Sequence, residues 1–221
     1  TPLDQCHAAG TYDPETQLCT NPPLPNGTQC NDGNVCRTND VCHTGESSTR
    51  PLAGLIQGSD GALYGTASQG GSSGAGTVFK LNTDGGGYAV LKNFTDYTNG
   101  ANPYASLTLS GSTLYGTAYS GSDSTDYGTV FQVNTDGSSY TVLKKFTNSD
   151  GANPYAGLTL SGSTLYGTTR AGGTNGDGTV FKVNTDGSGY TVLKNFAGGS
   201  DGADPYGGLT ISGSTVYGTT R

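Results

Sequence analysis

The 221-residue chain has no methionine, no tryptophan, only 2 histidines and no cysteine after Cys42. Charged residues make up 12%, about half of the usual share of roughly 25%. No apolar run approaches the roughly 18 to 20 residues that a membrane-spanning helix needs, and no basic-then-apolar leader stands at the amino end. Ten Lys and Arg against 17 Asp and Glu give a net charge of −7. That balance, with no basic stripe, speaks against nucleic acid as a partner. Opening on Thr1 with no methionine, the chain reads as a mature product whose leader has been removed.

Small polar residues take the place of charge. Glycine supplies 38 residues, more than twice its usual share of about 7%. The surface is therefore expected to be Ser, Thr, Asn and Gly. With 14 Tyr, 6 Phe and recurring Val and Leu runs, there is enough apolar material for a core, so the main body reads as folded rather than disordered.

The five cysteines, Cys6, Cys19, Cys30, Cys36 and Cys42, crowd the first fifth among turn formers such as Pro22-Pro23, Asn26-Gly27 and Asp32-Gly33. The expected organisation is a small disulfide module over 1–48 and a second region over 49–221. A zinc site is the competing reading, with His7 and His43 as further ligands, but no Cys-x-x-Cys pair is present. Five cysteines cannot all pair within one chain, so one stays a thiol or bonds a neighbouring molecule.

From Pro51 the sequence repeats itself. Leu-Tyr-Gly-Thr at 63–66, 114–117 and 165–168 and Val-Tyr-Gly-Thr at 216–219 put Tyr64, Tyr115, Tyr166 and Tyr217 at a constant spacing of 51. Gly-Thr-Val-Phe occurs three times, ending at Phe79, Phe131 and Phe181. An Asn-Thr-Asp-Gly loop follows each time, then a Tyr-x-Val-Leu-Lys-x-Phe run from Tyr88, Tyr140 and Tyr190. Pro51, Pro103, Pro154 and Pro205 open the units.

Within a unit, 158–160, 165–168, 179–183 and 190–196 are β-branched and aromatic runs between turn formers, hence four short strands. Ser161-Gly-Ser163 suits a tight hairpin and Asn184-Thr-Asp-Gly187 a longer one. Strict alternation along the last run puts Tyr190, Val192, Lys194 and Phe196 on one face and Thr191, Leu193 and Asn195 on the other. The fold class is then all-β, with tandem four-stranded repeats in a β-propeller-like array, and a β-solenoid as the alternative.

Two resemblances rest on these residues. The segments Cys6 to Cys19 and Gly27 to Gly45 resemble a cysteine-rich module of bacterial secreted and surface proteins. That module usually carries further cysteines where Tyr12 stands and just past Gly45, where this chain has Glu46 and Ser47. The repeats over 51–221 resemble a tandem family of large bacterial secreted and cell-surface proteins. Its marks are Tyr-Ala-Gly-Leu, Leu-Tyr-Gly-Thr, Gly-Thr-Val-Phe-Lys and Tyr-Thr-Val-Leu. The resemblance implies a propeller-like extracellular or cell-surface protein of no assigned chemistry.

The first hairpin pattern occurs four times and the second three, which makes three and a half blades, whereas propellers close with about four to eight. Either the chain is a fragment of a longer one, or other copies complete it as a filament or as a two-chain, seven-bladed ring. Catalysis finds no support: the repeats hold no His or Cys. Their recurring Asp84, Asp136, Asp186, Asp150 and Asp201 sit in Asp-Gly turns, where the side chain caps its own backbone. Calcium, suggested by Asn31 to Asn34, Asp123 to Asp126 and Asn175 to Asp177, lacks the spaced acidic ladder of a calcium loop. No cofactor or metal is expected.

Tyr104, Tyr155 and Tyr206, each following a proline, are candidate sugar-stacking residues at equivalent sites, or else pack between blades. Asn26 and Asn93 head N-glycosylation sequons. The functional expectation is a non-enzymatic extracellular structural protein whose copies join head to tail into a filament or sheath. The alternative is a carbohydrate-binding, adhesive propeller on a cell surface.

Overall fold

The computed structural model describes residues 50–95, 99–120 and 126–221, together with the backbone of two short strands, β1 (Tyr12–Asp13) and β2 (Leu18–Cys19). The chain divides into two compact units, Thr1–Glu46 and Ser47–Arg221. In the first, β1 and β2 pair antiparallel with Tyr12 opposite Cys19. The five cysteine side chains, Asn26 and the Asn31 to Asn34 segment lie outside the described residues.

The second unit is a series of antiparallel meanders. The first sheet runs β3 (Ile56–Gln57), β4 (Leu63–Ala67), β5 (Thr77–Leu81), β6 (Ala89–Asn93). The second runs β7 (Thr108–Ser110), β8 (Thr113–Ala118), β9 (Thr129–Asn134), β10 (Thr141–Lys145). The third runs β11 (Thr159–Ser161), β12 (Thr164–Thr169), β13 (Thr179–Asn184), β14 (Thr191–Asn195). A two-stranded sheet of β15 (Thr210–Ser212) and β16 (Thr215–Tyr217) follows. Each of the first three repeats thus forms its own four-stranded antiparallel sheet. This is the blade of a β-propeller-like fold, and it sets aside the solenoid, whose strands pair between repeats.

Turn chemistry fixes the registers. Ser161 pairs with Thr164 across a two-residue turn whose first central residue, Gly162, has φ 59°. Positive φ at that position is what a type II′ hairpin demands of glycine. In the longer loop the Gly187 N–H returns to the Asn184 carbonyl at 2.9 Å, and the Asp186 carboxylate accepts from the Ser188 N–H at 2.9 Å. Asp84 and Asp136 make the same local bond, to Gly86 N–H at 2.9 Å and Ser138 N–H at 2.8 Å. These three carboxylates serve their own turns.

The strict alternation expected along 190–196 fails at one residue. Phe181 lies opposite Val192, but Val180 lies opposite Lys194, so Leu193 is an extra residue in β14, a β-bulge. The same bulge falls at Leu143 in β10 and Leu91 in β6. It turns Lys194 and Phe196 to the face opposite from Tyr190 and Val192. Each blade therefore has two different faces. One carries Leu165, Phe181, Val183 and Tyr190 toward the preceding blade, and the other carries Val180, Lys194 and Phe196 toward the following one.

The core lies between blades and divides into two clusters. One packs Tyr64, Val78 and Phe94 of the first blade against Leu107, Leu114, Phe131 and Val133 of the second. The other packs Tyr115, Val130 and Phe146 of the second against Leu158, Leu165, Phe181 and Val183 of the third. Two repeat motifs interlock within each blade. A Cβ added at Gly167 of Leu-Tyr-Gly-Thr would stand 2.6 Å from the Phe181 ring, and one at Gly116 would stand 2.5 Å from Phe131. The glycine is there because the phenylalanine of the next strand lies across it.

Candidate functional site

The junction between successive blades is the most repeated constellation in the molecule. Phe146, from the second blade, meets Phe181 of the third edge to face at 5.2 Å, as Phe94 meets Phe131 at 5.3 Å. The Lys144 ammonium lies 4.2 Å over the Tyr190 ring, and Lys92 lies 4.1 Å over Tyr140. The Tyr190 hydroxyl donates to the Asp150 carbonyl at 2.6 Å and the Tyr140 hydroxyl to the Asn99 carbonyl at 2.7 Å. Burial pushes the Tyr190 phenol well above the ordinary tyrosine range, with the Asp150 charge adding to the effect. The loop glycine of each following blade, Gly137 or Gly187, sits on the bulged leucine before it, within 3.4 Å of Leu91 or Leu143 backbone for an added Cβ.

Backbone-directed bonds tie the inner strands. The buried Thr66 and Thr117 hydroxyls donate to the Ala105 and Ala156 carbonyls at 2.9 and 3.0 Å. Pro154 and Pro205 press on Gly128 and Gly178, whose positive φ of 92° and 96° already requires glycine. The Lys144–Asp150 ion pair closes the rim, so Asp150, expected only to cap a turn, also neutralises the lysine that carries the tyrosine ring.

The third junction has the same receiving residues with a different neighbour. There β15 and β16 cover only the inner part of the blade face. The rest is an open cleft of about 410 Å³ lined by Thr168, Val180, Lys194, Phe196, Leu209 and Val216, among others. Phe196 is half-buried where Phe94 and Phe146 are 0% and 1% exposed, and Leu193 is 46% exposed. Gly218 has Leu209 beside it but no phenylalanine ring. Lys194 keeps its ion pair with Asp201 at 2.5 Å.

The structure gathers the candidate sugar-stacking tyrosines into one row instead of separate equivalent sites. Tyr104 stacks on Tyr155 at 5.1 Å, and Tyr155 meets Tyr206 edge to face at 5.2 Å. Tyr119 packs against both Tyr104 and Tyr155. Arg170 caps the row: Nη1 donates to the Tyr119 hydroxyl at 3.0 Å, and the guanidinium lies 5.3 Å from the Tyr206 ring centre. Tyr104 and Tyr155 occupy one another's faces while Tyr206 stays 36% exposed, and burial pushes the Tyr104 phenol up. Arg170 also faces Asp204, at 3.8 Å. In the earlier blades this position is Asn102 or Asn153, whose amides donate to the Ser68 and Tyr119 carbonyls at 2.8 and 3.3 Å. A carboxylate cannot donate, so the third junction substitutes an ion pair. All three precede a proline at φ between 48° and 56°, a left-handed conformation that Asn and Asp tolerate.

Asn93, the described sequon residue, lies in β6 and its side-chain oxygen accepts from the Ser72 N–H at 3.0 Å. Asn195 repeats the bond with Thr174 N–H without any sequon. The Asn175 amide donates to the Phe196 carbonyl at 3.0 Å. Of the Asp123 to Asp126 segment only Asp126 is described, and among the described residues no group of three or more metal-binding side chains occurs. The first blade alone adds Asp60, which accepts from the Tyr64 hydroxyl at 2.6 Å. Burial and that carboxylate push the Tyr64 phenol up to about 12.

The sequence placed Lys194, Leu193 and Phe196 in a strand and Gly218 in a motif without pointing to them as site residues, and it did not single out Arg170. The signal was available: the equivalents of Lys194, Leu193, Phe196 and Arg170 meet the following blade, and those of Gly218 lie under the phenylalanine of their own blade.

Sheets of this order packed in series define a tandem-repeat, β-propeller-like protein. The chain belongs to the Gloeobacter/Verrucomicrobia repeat family, whose model matches residues 30–221. No curated protein matches it. Among solved structures it is similar to a chain of the nidogen/laminin complex, at 18% identity and a TM-score of 0.52, over 74% of this chain and 52% of that one. It is also similar to a TolB protein from Agrobacterium tumefaciens, at 14% identity and a TM-score of 0.47, over 74% and 54%. A 6-phosphogluconolactonase-titled structure from Bacteroides fragilis follows at 21% identity and a TM-score of 0.39, over 64% and 37%. The first likeness concerns the fold alone, and the chain spans about half the length of the first two structures.

Proposed function

We propose that this protein is a non-enzymatic extracellular structural module that assembles head to tail through its blade faces. The observation that carries the reading is the asymmetry of the blade. Every blade has a face that offers Phe and Tyr and a face that receives them. Two unlike faces on one unit meet in a heterologous contact, which propagates as a filament unless it closes on itself.

The bacterial repeat family and the Ser, Thr, Asn and Gly surface support a place outside the cell, as does a cysteine-rich segment suited to an oxidising compartment. The mutual packing of the tyrosine row favours scaffold over lectin. Native mass measurement with negative-stain imaging tests the reading. Uniform fibres or concentration-dependent oligomers are expected, and monodisperse single particles at all concentrations would overturn it.

A further inference from the structure

We infer that Tyr104 and Tyr155 are a site of oxidative cross-linking, where each ring gives one electron to an oxidant of the peroxidase or metal-complex class and a dityrosine bond joins the second blade to the third. The bond forms within one chain. It is independent of any contact between copies.

Composition directs oxidation to tyrosine. The chain has no methionine and no tryptophan, and its last cysteine and histidine are Cys42 and His43. The sulfur side chains that ordinarily take up oxidant are therefore missing from the repeats, which leaves tyrosine as their most easily oxidised group.

Geometry selects the pair. Tyr140 and Tyr190 pack on Phe131 and Phe181, and phenylalanine does not yield an electron to such oxidants. Tyr104, Tyr119, Tyr155 and Tyr206 instead meet one another, with ring centres 5.1 to 6.1 Å apart. An electron lost from one of the four can be replaced from the next. Tyr104 and Tyr155 are inclined by only 20°, whereas the other three contacts in the row cross at 73° to 89°. Overlapped rings bring ortho carbons together, and the ortho carbon beside the hydroxyl is where a tyrosyl radical couples.

The backbone holds the two rings in place. Each follows a buried proline, Pro103 or Pro154, whose own ring fixes its φ. A Cβ added at Gly76 or Gly128 of the preceding blade would stand 2.6 Å from the Cδ of that proline, so the contact is close. Both tyrosines are half-buried. Fixing two reacting groups side by side favours their reaction with one another over reaction between molecules.

The chemistry balances. Each ring loses one electron and its phenolic proton, and the two radicals form one carbon–carbon bond between ortho carbons. The hydrogen on each of those carbons then returns to the phenol oxygen as a proton. The net change is two electrons to the oxidant, two protons to water and a chain lighter by two hydrogen atoms. The cross-link closes a loop between residues 51 apart, and such closure stabilises by restricting the unfolded chain.

The test treats the full chain, at low concentration, with photo-generated ruthenium(III) tris-bipyridine and persulfate as the terminal electron acceptor. The monomer is expected to lose two hydrogen atoms and to gain dityrosine fluorescence. Trypsin should then release residues 93–144 and 146–170 as one linked species, with the bond at Tyr104 and Tyr155. The product should unfold at higher urea than the untreated chain. Tyr104→Phe and Tyr155→Phe keep the ring and remove the phenol, so each should abolish the product, while Tyr166→Phe, in the same tryptic peptide as Tyr155, leaves it unchanged. Urea midpoints of the untreated Phe variants, matched to the parent, separate a lost bond from a lost fold. An oxidised chain without dityrosine, links only between molecules, a bond mapped to other tyrosines, or the same product from Tyr155→Phe would each overturn the inference.

Discussion

The second and third junctions of this protein carry the same receiving residues and differ in what meets them. Between the second and third blades, Val130, Phe146 and Phe181 are at most 1% exposed. Beyond the third blade, Val180 and Phe196 are half-buried, Leu193 is 46% exposed and Tyr217, the equivalent of buried Tyr115, is 56% exposed. The chemistry of a blade is local, but its burial belongs to the pair. A repeat of this kind gains most of its stability at the interface with its neighbour, as nearest-neighbour models of repeat proteins describe.

The largest effect should come from removing a ring at each junction. Phe181→Ala is expected to lower the unfolding free energy by about 3–5 kcal/mol, the usual range for a filled core site, and Phe196→Ala by no more than about 2 kcal/mol because its ring is already half in water. Urea unfolding of the two variants would measure the gap, and equal losses would mean that the third junction is covered.

Glycine substitutions sharpen the contrast next. Gly178→Ala forces a Cβ to 2.4 Å from the Thr169 carbonyl and 2.7 Å from Pro205 at φ 96°, so a loss of at least about 2 kcal/mol is expected. Gly213→Ala, with φ 58° and nothing within 4 Å, should cost only the backbone term of about 1 kcal/mol. Thermal melts of the two would rank them.

The lysines come third. Lys144 pairs with a carboxylate and carries a tyrosine ring at 4.2 Å, while Lys194, at 48% exposure, pairs with its carboxylate and has only the Phe196 ring, at 5.8 Å. Lys144→Ala should cost about 1 kcal/mol and Lys194→Ala about 0.3 kcal/mol.

The smallest effect is one of pH, and in the first blade it falls on Tyr64. Tyr64 has its phenol raised to about 12, first by burial and then by Asp60. A raised folded-state value means that the folded form holds its proton more tightly than the unfolded chain. The stabilisation is complete below the ordinary tyrosine range near 10 and is lost as pH rises from about 10 to 12. Tyr64→Phe should flatten part of the alkaline fall in stability between pH 10 and 12, read from urea midpoints across that range.

Much of this was legible in the residues. The constant spacing of Tyr64, Tyr115, Tyr166 and Tyr217 gave the unit. Gly162 and Gly187 gave the turns, and the β-branched runs gave four strands per blade, because hydrogen bonding within a meander is local in sequence. The bulges at Leu91, Leu143 and Leu193 were not legible, since an alternating pattern reads the same with or without one inserted residue until the partner strand sets the register.

The tyrosine row was half legible. Its members were singled out by their place after each proline, but their convergence with Arg170 depends on how blades approach one another across 51 residues of chain. The cleft had the same standing. Its residues match the repeat, and only burial separates Phe196 from Phe146.

The sequence by itself determined the blade: periodicity, turn glycines and the Phe-over-Gly interlock are properties of one unit and recur wherever the unit does. Only the tertiary structure decided which copies of those residues are buried. That depends on the presence of a following blade, and no residue within the unit encodes its neighbour.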